Sequence, residues 1–432
     1  MKTSGWGRYP VIDSEVVRYN SDDSLFENID GRNPVIPYGF GRSYGDSALS
    51  DTILKMRPAK RMLHFDPENG LLTCEAGVLL SEILETFLPR GWFLKVTPGT
   101  KYITIGGAIA SDVHGKNHHQ YGAFSEYVSE FSLMMPNGSI KACSRTKNKD
   151  LFYATCGGMG LTGIILKATI SLQSVQSNTI VQQTIKTACL KEIFQAFEEY
   201  YNEPYSVAWI DCTATGSSLG RGLLNVGHFK EDHKFEYKAP GKLNMPLKLP
   251  GFLLNKWSIK LFNQLYYQKN LKSENRSETT VDSFFYPLDI LKNWNRLYGE
   301  EGPLQYQFVL PKKTSFDGIK EVLNYLQKKN MYSSLGVLKL FGKENKNLLS
   351  FPMEGYTLAL DFKVDDKIFQ ILDDLDKIIS GLGGRIYLAK DARMSVEIFN
   401  TGYSKAKEFR SIRDQYGMNK IFNSLQSNRL NL

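Results

Sequence analysis

The chain has 432 residues, of which 42% are hydrophobic and 23% charged, and its formal net charge is +8. This is the composition of a soluble globular protein, and the length exceeds what one hydrophobic core usually serves, so two domains are expected. The basic excess suits an anionic cofactor, a phosphorylated substrate or a membrane surface better than nucleic acid, because Lys/Arg clusters interleaved with aromatic residues are lacking.

The five cysteines, an odd number without paired spacing, indicate neither a disulfide framework nor a zinc site. The first residues lack the apolar stretch of a signal peptide, and no run reaches the roughly 20 apolar residues of a spanning helix. We therefore expect a cytoplasmic protein, with peripheral attachment at the inner membrane surface left open.

Residues 31–175 alternate short apolar runs with glycine-rich turns, a pattern that predicts strands joined by tight loops. Within them, SEILETFLPRG predicts a helix that ends at Gly91. After about residue 176, LKEIFQAFEEYYNE and SFDGIKEVLNYLQKKN have helical spacing, whereas LQYQFVLP, GYTLALDFKV and RIYLAK predict strands. The second half is thus expected to be a sheet with helices, an α+β arrangement.

Residues 230–280 fit neither pattern, because they mix Lys, Pro and Asn with apolar and aromatic residues. Such a long irregular stretch is usually functional or disordered. Two interpretations stay open here: a segment that lies on a membrane interface, or a surface insertion with one packed helix.

The first glycine loop is PYGFGRSYGDSAL, from Pro37 to Leu49. Its three glycines permit close backbone approach, and successive N–H groups beside Arg42 would form an anion site that suits a pyrophosphate. The loop lacks the Gly-Lys-Ser/Thr end of a Walker loop, and its spacing differs from GxGxxG. Rossmann-type NAD binding is therefore not expected, although an ordinary glycine-rich hairpin remains an alternative.

The second glycine segment runs from Thr97 to Gly122, where Gly106 and Gly107 precede small residues. Backbone can there pack directly against a flat or phosphate-bearing ligand. Three of the chain's six histidines follow, but a metal site is not expected, because Asp112 is the only carboxylate at ligand spacing. We expect His114 to face a cofactor, and the neighbouring His118 and His119 to be hydrogen-bonding loop residues.

The third segment, CGGMGLTGIILKATISL, places four glycines before a β-type run. Three glycine turns within about 130 residues indicate one extended cofactor cradle more specifically than any single loop does.

Together, GFGRSYGD, PGTKYITIGGAIASDVHGKNHH and CGGMGLTGIILKATI resemble the FAD-binding domain of vanillyl-alcohol-oxidase-type flavoproteins. The resemblance continues through FFYPLDILKNWNRLYG, LQYQFVLP, LSFPMEGYTLALDF and GGRIYLAKDARM, and is greatest for members that oxidise a lipid-linked phosphoribose. It implies a two-domain α+β fold. Residues 1–176 and 385–432 would form a split FAD-binding domain, and residues 177–384 a substrate-binding cap domain built on an antiparallel sheet.

The resemblance implies FAD held non-covalently, because Ser43 and Tyr44 stand where many relatives attach flavin through a histidine. The residues implied to bind FAD are Gly39, Phe40, Gly41, Arg42, Ser43, Tyr44, Gly45, Gly99, Thr100, Gly106, Gly107, Ser111, His114, Gly115, Gly160, Ile164 and Tyr387.

The same resemblance implies catalysis by Lys390, His114 and Tyr44, and a substrate pocket with Lys116, Tyr286, Gln307 and Lys390. Oxidation of an alcohol sends a hydride to flavin and releases the hydroxyl proton, so the pocket needs a base or a group that stabilises an oxyanion. Lys390 would be a base if burial lowers its pKa, or a stabilising charge if it does not. Of Gln305 and Gln307, one is expected to face the pocket. Lys116 would contact the substrate phosphate.

The implied function is oxidation of the 2-hydroxyl of a polyprenyl-phosphoryl-β-D-ribose to the 2-keto sugar, the first half of an epimerisation to the arabinose donor for cell-wall arabinan. A partner short-chain reductase would complete it, and residues 240–270 would contact the membrane. A soluble sugar-lactone or alditol oxidase using oxygen, and a non-enzymatic FAD-binding protein, are the alternatives. Thr357 and Ala359 stand where those relatives carry Asn and Cys, which leaves the exact sugar open.

Overall fold

The computed structural model describes residues 1–21, 25–27, 34–237, 243–244, 255–270, 273–299 and 301–432. The strands of its first part are β1 (Lys2–Ser4), β2 (Val11–Asp13), β3 (Glu15–Arg18), β4 (Val35–Tyr38), β5 (Thr52–Lys55), β6 (Met62–Asp66), β7 (Leu71–Glu75), β8 (Trp92–Leu94), β9 (Val128–Met134), β10 (Ile140–Ser144) and β11 (Ile164–Ser174). The helices of this part are α1 (Leu80–Phe87), α2 (Ile105–Ala110), α3 (His118–Tyr121) and α4 (Lys149–Thr155).

Two sheets organise this first part. Strands β3, β5 and β4 form a parallel sheet, and β10, β9, β11, β7 and β6 form an antiparallel sheet in that order, with β8 also paired to β11. Helix α1 buries an apolar stripe that includes Ile83 and Phe87, each such side chain contributing about 1.5–3 kcal/mol. The chain leaves this helix through a 3-10 turn and Gly91, whose φ of 77° is left-handed. The predicted helix and its end are confirmed.

The strands of the second part are β12 (Thr179–Thr187), β13 (Tyr205–Ile210), β14 (Gly222–Phe229), β15 (Leu243–Asn244), β16 (Glu274–Thr280), β17 (Leu291–Lys292), β18 (Pro303–Pro311), β19 (Gly336–Phe341), β20 (Gly355–Lys363) and β21 (Arg385–Ile386). The remaining helices are α5 (Leu190–Glu199), α6 (Lys256–Lys269), α7 (Val281–Phe285), α8 (Lys312–Lys328), α9 (Asp366–Gly381), α10 (Val396–Gly402), α11 (Ala406–Gln415) and α12 (Leu425–Leu430).

An eight-stranded antiparallel sheet dominates the second part, in the order β16-β12-β14-β13-β19-β20-β18-β21. Helices α8 and α9 pack on one face of β18, where the Tyr306 hydroxyl donates to Asp376 of α9 at 2.9 Å. Because side chains alternate along a strand, Gln305 and Gln307 point to the opposite face. The predicted α+β class and antiparallel sheet are thus confirmed, and one sheet face is left free to border a site.

The last residues return to the first part. Of the predicted strand RIYLAK, only Arg385–Ile386 pairs with β18; the chain then turns, and Lys390 N–H donates to the Tyr387 carbonyl at 2.9 Å. Beyond this turn, Tyr44 N–H donates to the Ala389 carbonyl at 2.9 Å. The predicted boundaries 1–176, 177–384 and 385–432 stay a prediction that these contacts support.

Candidate active site

A cavity of about 620 Å³ lies between the glycine-rich segments of the first part and the face of the eight-stranded sheet that carries Gln305 and Gln307. Its wall brings together all three glycine segments, the β18–β20 face and the turn after β21. The predicted residues that line it are Gly39, Phe40, Gly41, Arg42, Ser43, Tyr44, Gly99, Thr100, Gly106, Gly107, Ser111, His114, Gly160, Gln307, Tyr387 and Lys390.

The first glycine loop approaches the second without intervening side chains. Gly41 has a φ of 63°, which favours glycine, and a Cβ at Gly39 would lie 2.5 Å from Thr104 Oγ1. Thr104 in turn caps α2, because its side chain accepts from the Gly107 N–H at 3.1 Å. The backbones therefore form a narrow cradle along one side of the cavity.

Arg42 is the fixed cation of this cradle. Its guanidinium lies over the rings of Trp6 and Phe40, at 4.1 and 4.9 Å from their centroids. Burial lowers the pKa of Arg42, while the charge of Asp289 opposes that shift. An arginine stays charged under such conditions and can pair with an anionic ligand.

The hydrogen bonds around His114 define its protonation state. The Thr357 hydroxyl donates to the Phe308 carbonyl at 2.7 Å, so its oxygen accepts from Nε2 of Gln307 at 3.2 Å. The amide orientation thus fixed places the same Gln307 nitrogen 3.1 Å from Nε2 of His114, which must accept. His114 is therefore neutral with its proton on Nδ1. Burial and the charge of Lys339 hold its pKa well below the usual value.

Nδ1 of His114 has no hydrogen-bond partner among the described residues, although it is buried. A buried N–H without a partner is costly unless a ligand or water accepts from it. Because His114 lines the cavity, this donor is available to a bound cofactor or substrate.

Three lysines concentrate positive charge in and beside the cavity. Burial lowers the pKa of Lys390 and of Lys116 to about 7, and that of Lys339 to about 8. For Lys390, the carboxylate of Asp361 partly opposes the effect of burial, and Lys339 reinforces it. Near neutral pH, the Lys390 amine can thus accept a proton, which fits a base facing the cavity.

Tyr44 contacts the amine of Lys390, and Tyr387 fixes the turn that carries this lysine. Nζ of Lys390 lies 3.9 Å from the centroid of the Tyr44 ring. Burial raises the pKa of Tyr44 well above its ordinary value, so it stays a neutral phenol. Tyr387 stacks on Phe351 at 4.5 Å and donates to the Ser111 carbonyl at 3.1 Å. The turn that carries Lys390 is therefore anchored to the glycine segment opposite.

Five predicted residues lie behind the wall of the cavity rather than on it. A Cβ at Gly45 would lie 1.7 Å from the Asp391 carbonyl, so this glycine serves packing between loop and C-terminal segment. Gly115 packs against Asn117 and Thr97, and Ile164 is buried while its neighbours Gly163 and Ile165 face the cavity.

Two of those five were predicted to bind substrate. The Lys116 amine donates to the Phe284 carbonyl and lies 4.5 Å from the centroid of the Phe284 ring. The Tyr286 hydroxyl is 2.7 Å from Thr97 Oγ1 and fully buried. In this structure α7 holds the Lys116 amine through Phe284, whereas the hydroxyl of Tyr286, the residue after α7, contacts Thr97.

The sequence interpretation missed several residues of the site. Gln305 lines the cavity together with Gln307, where one of the two was expected. Lys339 lines it from β19; its alternation with apolar residues in GVLKLF was the available signal. Asp112, at a φ of 38°, accepts hydrogen bonds from Ser125, Asn345, Asn347 and Ser350 and so shapes the chain before His114.

These residues fit FAD. The glycine cradle with Arg42 suits a pyrophosphate, the cavity volume is within the range of cofactor sites, and the free Nδ1–H of His114 can donate to a ring system. Bound FAD would supply the hydride acceptor. The first glycine loop has no histidine that could attach flavin covalently, since Ser43 and Tyr44 stand at that place.

Comparison with known proteins agrees with this fit. Residues 30–144 match the family described as FAD binding domain. The chain is 34% identical to the decaprenylphosphoryl-β-D-ribose oxidase of Mycolicibacterium smegmatis, over 99% of this chain and 97% of that protein. An uncharacterised protein of the mprA 5′ region in Streptomyces coelicolor is 28% identical over 82% of the chain and 100% of that protein. Mouse L-gulonolactone oxidase is 29% identical over 38% of the chain and 36% of that protein.

Proposed function

The chain belongs to the decaprenylphosphoryl-β-D-ribose oxidase family of FAD-dependent oxidoreductases, and on that premise we propose that it oxidises the 2-hydroxyl of a polyprenyl-phosphoryl-β-D-ribose. The observation that carries the proposal is the Lys390 amine at the cavity wall, whose pKa burial lowers to about 7. Such an amine can take the hydroxyl proton as the hydride leaves. Lys339 adds a positive charge for the phosphate.

An anaerobic absorbance titration of the FAD-loaded protein with polyprenyl-phosphoryl ribose tests this function. We expect the flavin band to bleach, because the sugar delivers its hydride. A flavin that bleaches only with free sugars or lactones would contradict the proposal and favour a soluble sugar-lactone or alditol oxidase. The likeness to L-gulonolactone oxidase, confined to 38% of the chain, supports that alternative less than the full-length likeness supports the first.

The 2-keto product requires a second enzyme if the pathway is an epimerisation. A partner short-chain reductase would return a hydride to the opposite face of the 2-keto carbon and give the arabinose donor. Mixing the protein, substrate and a reductase of this class with a reduced nicotinamide should yield the arabino product. Accumulation of the keto sugar in that mixture would argue against the partnership.

A polyprenyl substrate resides in a membrane, and helix α6 offers a surface for peripheral contact. No helix of the described residues is long and apolar enough to cross a bilayer. Yet Trp257, Leu261, Phe262 and Leu265 of α6 are 59–74% exposed. The membrane prediction covered residues 240–270, of which 240–242 and 245–254 lie outside the described residues.

Helix α6 differs from an ordinary surface helix, because polar side chains contact the rest of the protein and apolar side chains are exposed. Asn263 donates to Asp211 at 2.9 Å, Arg221 donates to Gln264 at 2.6 Å, and the Tyr267 hydroxyl donates to the Thr187 carbonyl at 3.1 Å. Residues 241–270 carry five lysines and no acidic residue. An exposed apolar stripe with basic neighbours matches an anionic lipid surface.

Flotation with vesicles of phosphatidylcholine, with and without phosphatidylglycerol, tests the contact. We expect binding to the anionic vesicles and its loss in a triple variant, Trp257→Gln, Leu261→Gln and Leu265→Gln. The matched control replaces three exposed apolar residues elsewhere: Val11→Gln, Leu63→Gln and Ile140→Gln. Equal binding by both triple variants would exclude α6 as the membrane surface.

A further inference from the structure

The N-terminal segment reaches the catalytic cavity with one large side chain, Trp6. This residue lines the cavity, although it lies outside residues 30–144, which match the FAD binding domain family. The Trp6 N–H donates to the Ser43 carbonyl at 2.7 Å, and the Gly7 N–H donates to the Tyr44 carbonyl at 3.1 Å. The segment therefore runs along the first glycine loop and is held there by backbone hydrogen bonds.

Glycines on both sides of Trp6 permit this close approach. A Cβ at Gly5 would lie 2.6 Å from the Gly45 carbonyl oxygen, and a Cβ at Gly7 would lie 2.6 Å from the Tyr44 carbonyl oxygen. Both distances are too short for a side chain, so backbone packs on backbone at both positions. The sequence Gly-Trp-Gly thus places a single side chain, the indole, against the first glycine loop.

The indole of Trp6 contacts the one arginine of this loop. Cζ of Arg42 lies 4.1 Å from the centroid of the Trp6 ring and 4.9 Å from the centroid of the Phe40 ring. The negative faces of aromatic rings attract a guanidinium at such distances. A cation–π contact needs no lone-pair acceptor, so the N–H donors of the guanidinium remain available for an anion.

No protein carboxylate uses these donors. Among the described residues, Arg42 forms no ion pair; the charge of Asp289 acts on it, but no hydrogen bond joins the two. The Asp289 oxygens instead accept from the Thr100 hydroxyl at 2.8 Å and from the Lys101 N–H at 2.9 Å. Arg42 is therefore a cavity-lining cation held by aromatic rings, and the anion that suits this cradle is the pyrophosphate of FAD.

Trp6 is itself held from the side of the cap domain. The centroid of its ring lies 6.0 Å from that of Trp294, which is buried, and Nδ2 of Asn295 donates to the Trp6 carbonyl at 3.2 Å. With these contacts the indole is ordered before any ligand binds. An arginine ordered by such a ring loses less conformational entropy when it binds an anion.

We propose that Trp6 is a positioning residue of the cofactor site, whose indole holds the Arg42 guanidinium ready for the pyrophosphate of FAD. The N-terminal segment thus completes a site that the three glycine segments otherwise form. The aromatic face of residue 6 is what the site requires, rather than apolar bulk alone. The proposal concerns cofactor binding and does not depend on which alcohol the enzyme oxidises.

The rate at which the FAD-loaded protein releases its cofactor on dilution tests the proposal, with the fluorescence of free FAD as the signal. We expect Trp6→Leu to release FAD about five- to thirtyfold faster, the range that corresponds to one lost cation–π contact. Trp6→Phe keeps an aromatic face and should stay close to the wild type. Release at the wild-type rate in Trp6→Leu, or equal rates in the two variants, would overturn the proposal.

The matched control is Trp92→Leu. Trp92 is another half-buried tryptophan of the first part, which packs on Phe65 with ring centroids 5.4 Å apart and lies outside the wall of the cavity. Its replacement should leave the release rate unchanged. An acceleration equal to that of Trp6→Leu would mean that general destabilisation releases FAD, and the proposal would be wrong.

A double-mutant cycle shows whether Trp6 acts through Arg42. Arg42→Met should by itself accelerate the release of FAD. In that background, Trp6→Leu should add less than about a twofold change, because the guanidinium that the indole holds is gone. Fully additive effects would contradict the proposal, since Trp6 would then act on FAD by another route.

Phosphorus-31 NMR of the FAD-loaded protein adds a readout that a merely structural role would not move. The two pyrophosphate resonances of bound FAD should shift in the same direction in Trp6→Leu and in Arg42→Met, because both variants change the cation beside the phosphates. Trp6→Phe should leave them near their wild-type positions. Unchanged pyrophosphate resonances in Trp6→Leu would overturn the proposal.

Discussion

Nη2 of Arg429 lies 2.9 Å from Oδ1 of Asp46, although 383 residues separate the two in the chain. The same nitrogen donates to Oδ2 of Asp391 at 2.8 Å. The last helix, the first glycine loop and the turn after Lys390 are therefore joined at one guanidinium. The cofactor cradle and the catalytic lysine owe their relative position in part to this junction.

Replacement of Arg429 by Met should destabilise the protein strongly. Asp46 and Asp391 are 4–5% exposed, and without the guanidinium they are two buried carboxylates side by side. Loss of one partner of a buried ion pair typically costs about 3–5 kcal/mol. Urea unfolding should show this loss, while Arg410→Met should change the free energy of unfolding far less, because Arg410 donates to the Asn400 amide and to the carbonyls of Leu430 and Asn431 and leaves no buried carboxylate behind. A loss below about 1 kcal/mol would contradict the junction's importance.

Lys390→Met should keep the yellow cofactor but reduce the rate of flavin bleaching by about 10²–10⁴-fold, since no base then takes the hydroxyl proton. In the wild type, the rate should rise with pH through about 7, because the amine acts in its neutral form. Stopped-flow absorbance at several pH values measures both effects. Lys377→Met, on the exposed side of α9, is the control. Unimpaired bleaching would remove Lys390 from the mechanism.

Lys339→Met should move the pH profile of the bleaching rate to higher pH. The Lys339 charge lowers the pKa of Lys390, and its removal lets that pKa rise. The rise of the bleaching rate should then occur at higher pH. If the midpoint in Lys339→Met stays unchanged or moves to lower pH, the electrostatic account of Lys390 is wrong.

Gln307→Leu should slow bleaching by about tenfold, the size expected for one lost buried hydrogen bond. The substitution leaves Nε2 of His114 without its donor and removes the reason for the proton to stay on Nδ1. Thr357→Val, which removes only the hydroxyl that orients the amide, should have a smaller effect in the same direction. Nitrogen-15 NMR of His114 in each variant shows the tautomer directly. An unaltered Nδ1–H form in Gln307→Leu would contradict this role.

Ala359→Cys should place a reactive thiol in the catalytic cavity, because Ala359 lines it between Thr357 and Asp361 on β20. Of the five native cysteines, four are buried and one is half-buried. Mass spectrometry after brief treatment with a small alkylating reagent should therefore show one additional modified thiol. Substrate should protect it. Labelling unaffected by substrate would place residue 359 outside the binding region.

The glycine segments show what the sequence alone determined. Glycine is favoured where the backbone has a left-handed φ or closely approaches a ligand or another backbone, so Gly41 and Gly160 could be assigned to a cradle from local chemistry. The same holds for the helix that ends at Gly91 and for β18 and β20, whose apolar patterns match their burial. Local context also singled out His114 as the histidine that faces a cofactor, whereas Lys390 came from the resemblance to relatives, because local pattern does not distinguish it from other lysines.

Only the tertiary structure decided which side chains face one another. Pairings between strands distant in the chain place both Gln305 and Gln307 at the cavity, bring Lys339 beside them from β19, and set Asp361 opposite Gln305. Tyr286 and Lys116 do not line the cavity, because the first contacts Thr97 and the second contacts Phe284 of α7. The direction in which a side chain points and the charges around it depend on contacts between segments. The sequence of one segment gives the residue types but not those contacts.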